Sequence, residues 1–126
     1  MSRTHSPVTS YRLQFGAHFS FADAHRVVPY LEAIGITDCY VSPLLKATAG
    51  SEHGYDICDH NALNQELGSD QDFDAFAAAL RERQMGLILD FVPNHMGLDH
   101  PWIEDHPDYF IRGSELDLAR DRKSVV

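Results

Sequence analysis

The run Gly86-Leu-Ile-Leu-Asp-Phe-Val92 constrains this chain more than any other segment. It is nearly continuous in apolar residues and too short for an ordinary helix. Such a run reads as a parallel strand buried on both faces. The carboxylate inside it, Asp90, costs free energy unless it is paired. The rest of the chain must therefore supply neighbouring strands and covering helices. Tyr11-Arg-Leu-Gln-Phe15 alternates and is rich in strand formers, which predicts a first short strand. Ser20 followed by Asp23 forms a capping-box pattern. Behind it Phe21, Ala24, Val27, Val28, Leu31 and Ile34 share one helical face. Pro29 predicts a kink or a second start in that helix, and Gly35 predicts its C-cap.

A second strand is predicted over 37–41, and a second helix from Ser69 or Asp70 with Phe73, Phe76, Ala77 and Leu80 on one face. Residues 46–68 hold turn formers and little helical period, which predicts a long loop of the kind that carries function. Beyond residue 97 only a short helix near 114–122 is legible. The order strand, helix, strand, loop, helix, strand means βαβ units and a parallel sheet, an α/β fold. Such a small sheet either closes on itself or opens a larger one, since its edges would otherwise stand exposed.

Charge narrows the partners. Ten Lys and Arg face 19 Asp and Glu, a net charge of −9. So acidic a surface argues against nucleic acid or an anionic membrane and leaves a neutral or cationic small ligand. Cys39 and Cys58 are too few for a disulfide scaffold and read as reduced thiols. Cys39, beside Tyr40 in a strand, reads as core. The polar leader 1–10 lacks the apolar stretch of a signal peptide. No segment reaches the roughly 18–20 apolar residues of a membrane span. A soluble, cytoplasmic protein is expected.

Two clusters could carry chemistry. In Asp90-Phe-Val-Pro-Asn-His95, a carboxylate, an amide and an imidazole follow a strand, where parallel α/β folds build their sites. The plainer reading is a capping aspartate and a surface histidine. In Glu52-His-Gly-Tyr-Asp56, Gly54 permits a tight turn, Tyr55 offers a flat plate for a sugar or a base, and Asp56 can accept from hydroxyls. The plainer reading there is a polar turn. His95, Asp99 and His100 match no zinc spacing, and Asn94 alone makes no calcium site, so no metal is expected. No phosphate loop, dinucleotide fingerprint or nucleophile elbow is present, and no cofactor is expected.

Together these clusters resemble a known family. Asp90-Phe-Val-Pro-Asn-His95 resembles the first signature of the α-amylase superfamily (glycoside hydrolase family 13), found at the third strand of its barrel. His53-Gly-Tyr-Asp56 resembles its sugar-stacking loop after the second strand, and Ser42-Pro43 fits the end of that strand. Tyr11–Phe15, Phe21-Ala-Asp-Ala24, Pro29-Tyr-Leu31, Ser42–Ala47, Gly50-Ser51 and Asn64-Gln-Glu-Leu-Gly68 resemble one branch, the maltooligosyl trehalose synthases.

The resemblance implies a partial TIM (β/α)8 barrel of about three strands and two helices, against about 250 residues for a whole one. It implies that residues 11–99 open an α-amylase-like catalytic barrel, and that 100–126 form a divergent or truncated loop region. Segments His106–Phe110 and Asp117–Asp121 depart from the synthase pattern, and Lys123-Ser-Val-Val126 looks like an arbitrary stop.

By the same resemblance, Tyr55 stacks on the sugar at the point of cleavage. Asp56 bonds to that sugar or pairs with a distant arginine, and His95 donates to one of its hydroxyls. Asp90, Asn94 and His53 support the site, Asp90 through an arginine near the nucleophile. The expected partner is a maltooligosaccharide or other α-glucan, and the intact enzyme would convert a reducing-end α-1,4 linkage into an α,α-1,1 linkage. The nucleophile and acid/base belong to later strands, beyond Val126, so this chain alone is expected to be inactive. Two other readings stay open: part of another α-amylase-like hydrolase or glucanotransferase, and a self-standing carbohydrate-binding module.

Overall fold

A computed structural model describes residues 5–120. Three parallel strands, β1 (Ser10–Leu13), β2 (Asp38–Val41) and β5 (Gly86–Leu89), lie in the order β1-β2-β5. Helix α1 (Phe21–Ala33) links the first pair, and α2 (Asp70–Glu82) precedes β5. The register sets Arg12 opposite Tyr40 and Tyr40 opposite Ile88.

Alternation sorts the side chains of the sheet. Leu13, Cys39, Val41 and Leu87 join the core under the helices. Arg12, Tyr40 and Ile88 point to the opposite face. Phe15, Phe21 and Phe76 meet edge to face at the centre of the core, with centroids 5.1 Å (Phe15–Phe21) and 6.2 Å (Phe15–Phe76) apart.

Both helices start at the capping boxes their sequences encode. Ser20 Oγ accepts from Asp23 N while Asp23 accepts from Ser20 N, and Ser69 and Asp72 repeat the pattern. The reciprocal bonds satisfy amides at the start of each helix that have no intrahelical partner. The structure differs from expectation at Pro29 and at the end of β1. Pro29 neither kinks nor restarts α1, which runs through it. Pro29 and His25 both lie on the exposed side, so the carbonyl freed by the missing amide faces solvent. Gly35 ends the helix as expected: just past the cap residue Ile34 it takes φ +82°, its amide bonds the Glu32 carbonyl and the Ile36 amide bonds the Leu31 carbonyl. Strand β1 stops at Leu13, and Phe15 turns into the core instead of extending it.

The expected long loop is partly a hairpin. Strand β3 (Leu45–Ala47) pairs antiparallel with β4 (Ile57–Leu63), and a single helical turn follows at Gln65–Leu67. The expected burial of 86–92 on both faces is also corrected. Strand β5 is an edge, with Leu89 54% and Phe91 73% exposed, because no described element covers its far side. After β5 come a short helix α3 (Trp102–Asp105), which the sequence did not signal, and α4 (Glu115–Arg120). The expected helix over 114–122 is α4 within the described residues. The ending 123–126 lies outside them.

Candidate functional site

The two sequence clusters meet at the C-terminal ends of the parallel strands. Strand β5 delivers Asp90 at its end, with Asn94 and His95 just beyond. The turn inside the β3–β4 hairpin delivers His53, Tyr55 and Asp56. His53, Tyr55, Asp56, Asn94 and His95 line one open cavity of about 670 Å³ with Thr48 and Asp99. Asp90 stands behind Tyr55 and does not line it.

Local bonds shape the turn. Gly54 adopts φ +80°, and a Cβ there would lie 3.3 Å from the Pro43 carbonyl. His53 Nδ1 accepts from Tyr55 N at 3.0 Å, and the two rings stack with centroids 6.1 Å apart. The Asp56 carboxylate accepts from Ser51 Oγ, whose oxygen also accepts from Gly54 N at 3.0 Å. His53 lies 3.9 Å from the same carboxylate. Thr48 ties both sides together: its amide bonds the Asp56 carbonyl at 2.9 Å and its hydroxyl the Asp99 carboxylate at 2.7 Å.

Asp90 is partnered, as a half-buried carboxylate in an apolar run requires. Its Oδ2 accepts from Tyr55 Oη at 2.5 Å and from Tyr40 Oη at 2.9 Å. Arg12 Nη2 donates to Tyr55 Oη at 3.0 Å and to Gln14 Oε1 at 2.9 Å. The Arg12 guanidinium lies over the Tyr40 ring at 5.5 Å. The bond to Asp90, helped by burial, pushes the Tyr55 phenol up, while Arg12 pulls it down. Arg12 and Tyr40 escaped the sequence analysis. The available signal was their position out of phase with the buried residues of their strands, on the face the helices leave open.

Asn94 and His95 are exposed at the cavity, and among the described residues neither side chain makes a hydrogen bond. Both are free to meet a ligand. His95, Asp99 and His100 do not converge. His100 turns away under the hairpin, where its Nε2 lies 3.3 Å from His60 Nδ1. Among the described residues no group of three His, Cys, Asp or Glu could hold a metal ion. No helix is long and apolar enough to cross a membrane, among the described residues.

Comparison with known proteins places this geometry. The model of the α-amylase catalytic domain matches residues 25–121. The chain belongs to the α-amylase family. A Mycobacterium tuberculosis protein named as a maltooligosyl trehalose synthase is 41% identical over 99 residues, covering 75% of this chain and 13% of its own. The solved structure of maltooligosyltrehalose synthase from Arthrobacter ramosus superposes with a TM-score of 0.73 at 41% identity, covering 76% of this chain and 13% of that one. An α-amylase from Geobacillus thermoleovorans, solved with acarbose, shares the fold at TM-score 0.77 and 24% identity, covering 84% of this chain and 28% of its own. The chain thus spans about an eighth of the synthases it matches (13%). Its fold is the opening of an α-amylase-type barrel.

Proposed function

We propose that this chain is the sugar-holding N-terminal part of a maltooligosyl trehalose synthase. Residues 11–99 form the opening of its barrel, and 100–126 are a divergent or truncated loop region that carries the short helices α3 and α4. One observation carries the reading: His53, Tyr55, Asp56, Asn94 and His95, from two separate stretches of sequence, form one wall at the strand ends. In barrel enzymes that end is where catalysis is built. The Tyr55 ring is a platform for the apolar face of a glucosyl ring. The imidazole of His95 and the carboxylate of Asp56 offer a donor and an acceptor for its hydroxyls.

In the whole enzyme the reducing-end α-1,4 linkage of a maltooligosaccharide would be exchanged for an α,α-1,1 linkage. A carboxylate attacks the anomeric carbon while a second carboxyl protonates the leaving sugar oxygen, giving a glycosyl-enzyme. The released glucose then attacks the glycosyl carbon through its anomeric hydroxyl, which breaks the bond to the first carboxylate and passes the hydroxyl proton to the second, in a pocket that keeps water out. Such carboxylates stand about 5–5.5 Å apart, and we assign them to later strands of the barrel. This chain contributes the grip on the sugar.

The test is a titration of the pure chain with maltopentaose, followed by NMR, alongside product analysis. Binding that weakens on Tyr55→Ala, with no turnover, is expected. No binding overturns the sugar wall. Turnover by the correctly massed chain overturns the assignment of the carboxylates. With the remaining barrel supplied, trehalose-ended products support the synthase, and shortened maltooligosaccharides would instead mark a hydrolase.

A further inference from the structure

We infer that Arg12 is a positioning residue: through the relay Arg12–Tyr55–Asp90 it holds the Tyr55 ring in the attitude that receives a sugar. The inference rests on the proposed sugar wall and adds to it a residue from another strand, which touches neither the cavity nor the sugar.

Bond directions in the relay are unambiguous. A guanidinium only donates, and a carboxylate only accepts. Tyr55 has a single hydroxyl proton. It goes to Asp90 Oδ2 at 2.5 Å, so the Tyr55 oxygen must receive Arg12 Nη2 at 3.0 Å. The chain runs Arg12 to Tyr55 to Asp90, with Tyr40 closing it from the other side at 2.9 Å. One cation and one carboxylate thus hold the same phenol oxygen. The two bonds pin the tip of the side chain, and the stacked His53 ring, 6.1 Å away between centroids, holds the ring plane.

The backbone accounts for the meeting. Arg12 and Tyr40 are partners in the β1–β2 register, and Asp90 follows two residues after Ile88, the β5 partner of Tyr40. All three strands therefore point these groups to the face away from α1 and α2. Gln14 adds a brace. Its Oε1 accepts from Arg12 Nη2 at 2.9 Å, and its Nε2 donates to the His53 carbonyl at 3.1 Å. Arg12 in β1 and Gln14 just after the strand thus hold both the tip of Tyr55 and the backbone just before it. Holding a platform rigid before binding lowers the ordering cost of binding, which is how a residue remote from the ligand raises affinity.

The experiment uses the 126-residue chain with Arg12→Met, Arg12→Lys and Asp90→Asn, each checked for fold by circular dichroism. Arg12 is exposed and outside the core, so its replacement leaves the packing intact. The Tyr55 phenol is followed by phenolate absorbance, with Tyr55→Phe as the blank. Loss of Arg12 moves its titration to higher pH, and loss of Asp90 moves it to lower pH. Opposite shifts are the signature of a relay, and a merely structural role would produce neither. Maltopentaose binding weakens about tenfold in Arg12→Met, the weight of one charge-assisted hydrogen bond. Arg12→Lys keeps the charge and restores part of the titration. Tyr55 titrating unchanged in Arg12→Met overturns the inference, as does unchanged affinity in a chain that binds maltopentaose. If the native chain binds no maltopentaose but the opposite shifts appear, the relay stands and the sugar reading falls.

Discussion

His5 Nε2 lies 2.6 Å from Asp38 Oδ1, tying the residues before β1 to the buried start of β2. Thr37 Oγ1 donates to the other Asp38 oxygen at 2.6 Å. Burial alone would raise the Asp38 carboxyl, but the bonds from Thr37 and His5 outweigh it and hold it below its ordinary value. A lowered carboxyl stabilises the fold above the unfolded value, about pH 4, and that contribution is lost as pH falls through the folded value. His5→Ala should lower stability by about 1–3 kcal/mol, the weight of leaving a buried polar group short of a partner. It should also start acid unfolding at a higher pH. Urea midpoints measured across the acid range check both.

Gly86 answers the same pair from β5. A Cβ there would stand 2.0 Å from Asp38 Oδ1 and 3.0 Å from His5 Nε2. Gly86→Ala should therefore destabilise by about 1–3 kcal/mol through overpacking, despite the better strand propensity of alanine. The penalty should shrink in an Asp38→Ser background, where the blocking oxygen is gone. A double-mutant cycle on urea midpoints measures that coupling. Equal penalties in both backgrounds would separate Gly86 from the pair.

The two cysteines should differ in reactivity. Cys39 is buried in the core, and burial pushes its thiol up to about 11. Cys58 is half-buried on β4, its thiol raised by burial and by Asp99. Thiolate is the reacting form. In the folded chain near pH 8, iodoacetamide should label Cys58 slowly and Cys39 only after urea is added, roughly as their thiolate fractions and access demand. Peptide mass spectrometry reads the order. Labelling of Cys39 at the rate of Cys58 would mean that β2 opens in the native state.

What the sequence made legible was local. The start of α1 was readable because Ser20–Asp23 carries its own cap, while that of α2 stood between Ser69 and Asp70 until the Ser69–Asp72 pair fixed it at Ser69. The β3–β4 hairpin was not, because β4 (Ile-Cys-Asp-His-Asn-Ala-Leu) has no clean alternation and its register slips at Leu45/Lys46 and Lys46/Ala47. Burial of β5 was overread, since an apolar run states what a strand can tolerate and not which elements cover it. In the site, Tyr55 and His95 stood out by motif. Arg12 did not, because its role depends on the register between β1 and β2.

His100 is 5% exposed, beneath the hairpin. Its Nδ1 accepts from the Trp102 amide at 3.1 Å, so a neutral ring carries its proton on Nε2, which lies 3.3 Å from His60 Nδ1. A second proton must go to Nδ1 and displace the Trp102 amide. Burial and His60 lower the His100 pKa, and Asp59 and Asp99 oppose them without prevailing. The unfolded chain therefore takes up that proton first, below about pH 6.5. Stability from this site is complete above that value and declines as pH falls toward the lowered folded value. Trp102, the only tryptophan in the chain, packs 5.0 Å from the His100 ring and reports the change by fluorescence. Urea midpoints of the native chain should drop from pH 7.5 to pH 5.5, roughly the window around a free histidine, and His100→Asn should show a flatter profile from a lower start. Parallel profiles in the two proteins would assign the acid loss to other groups.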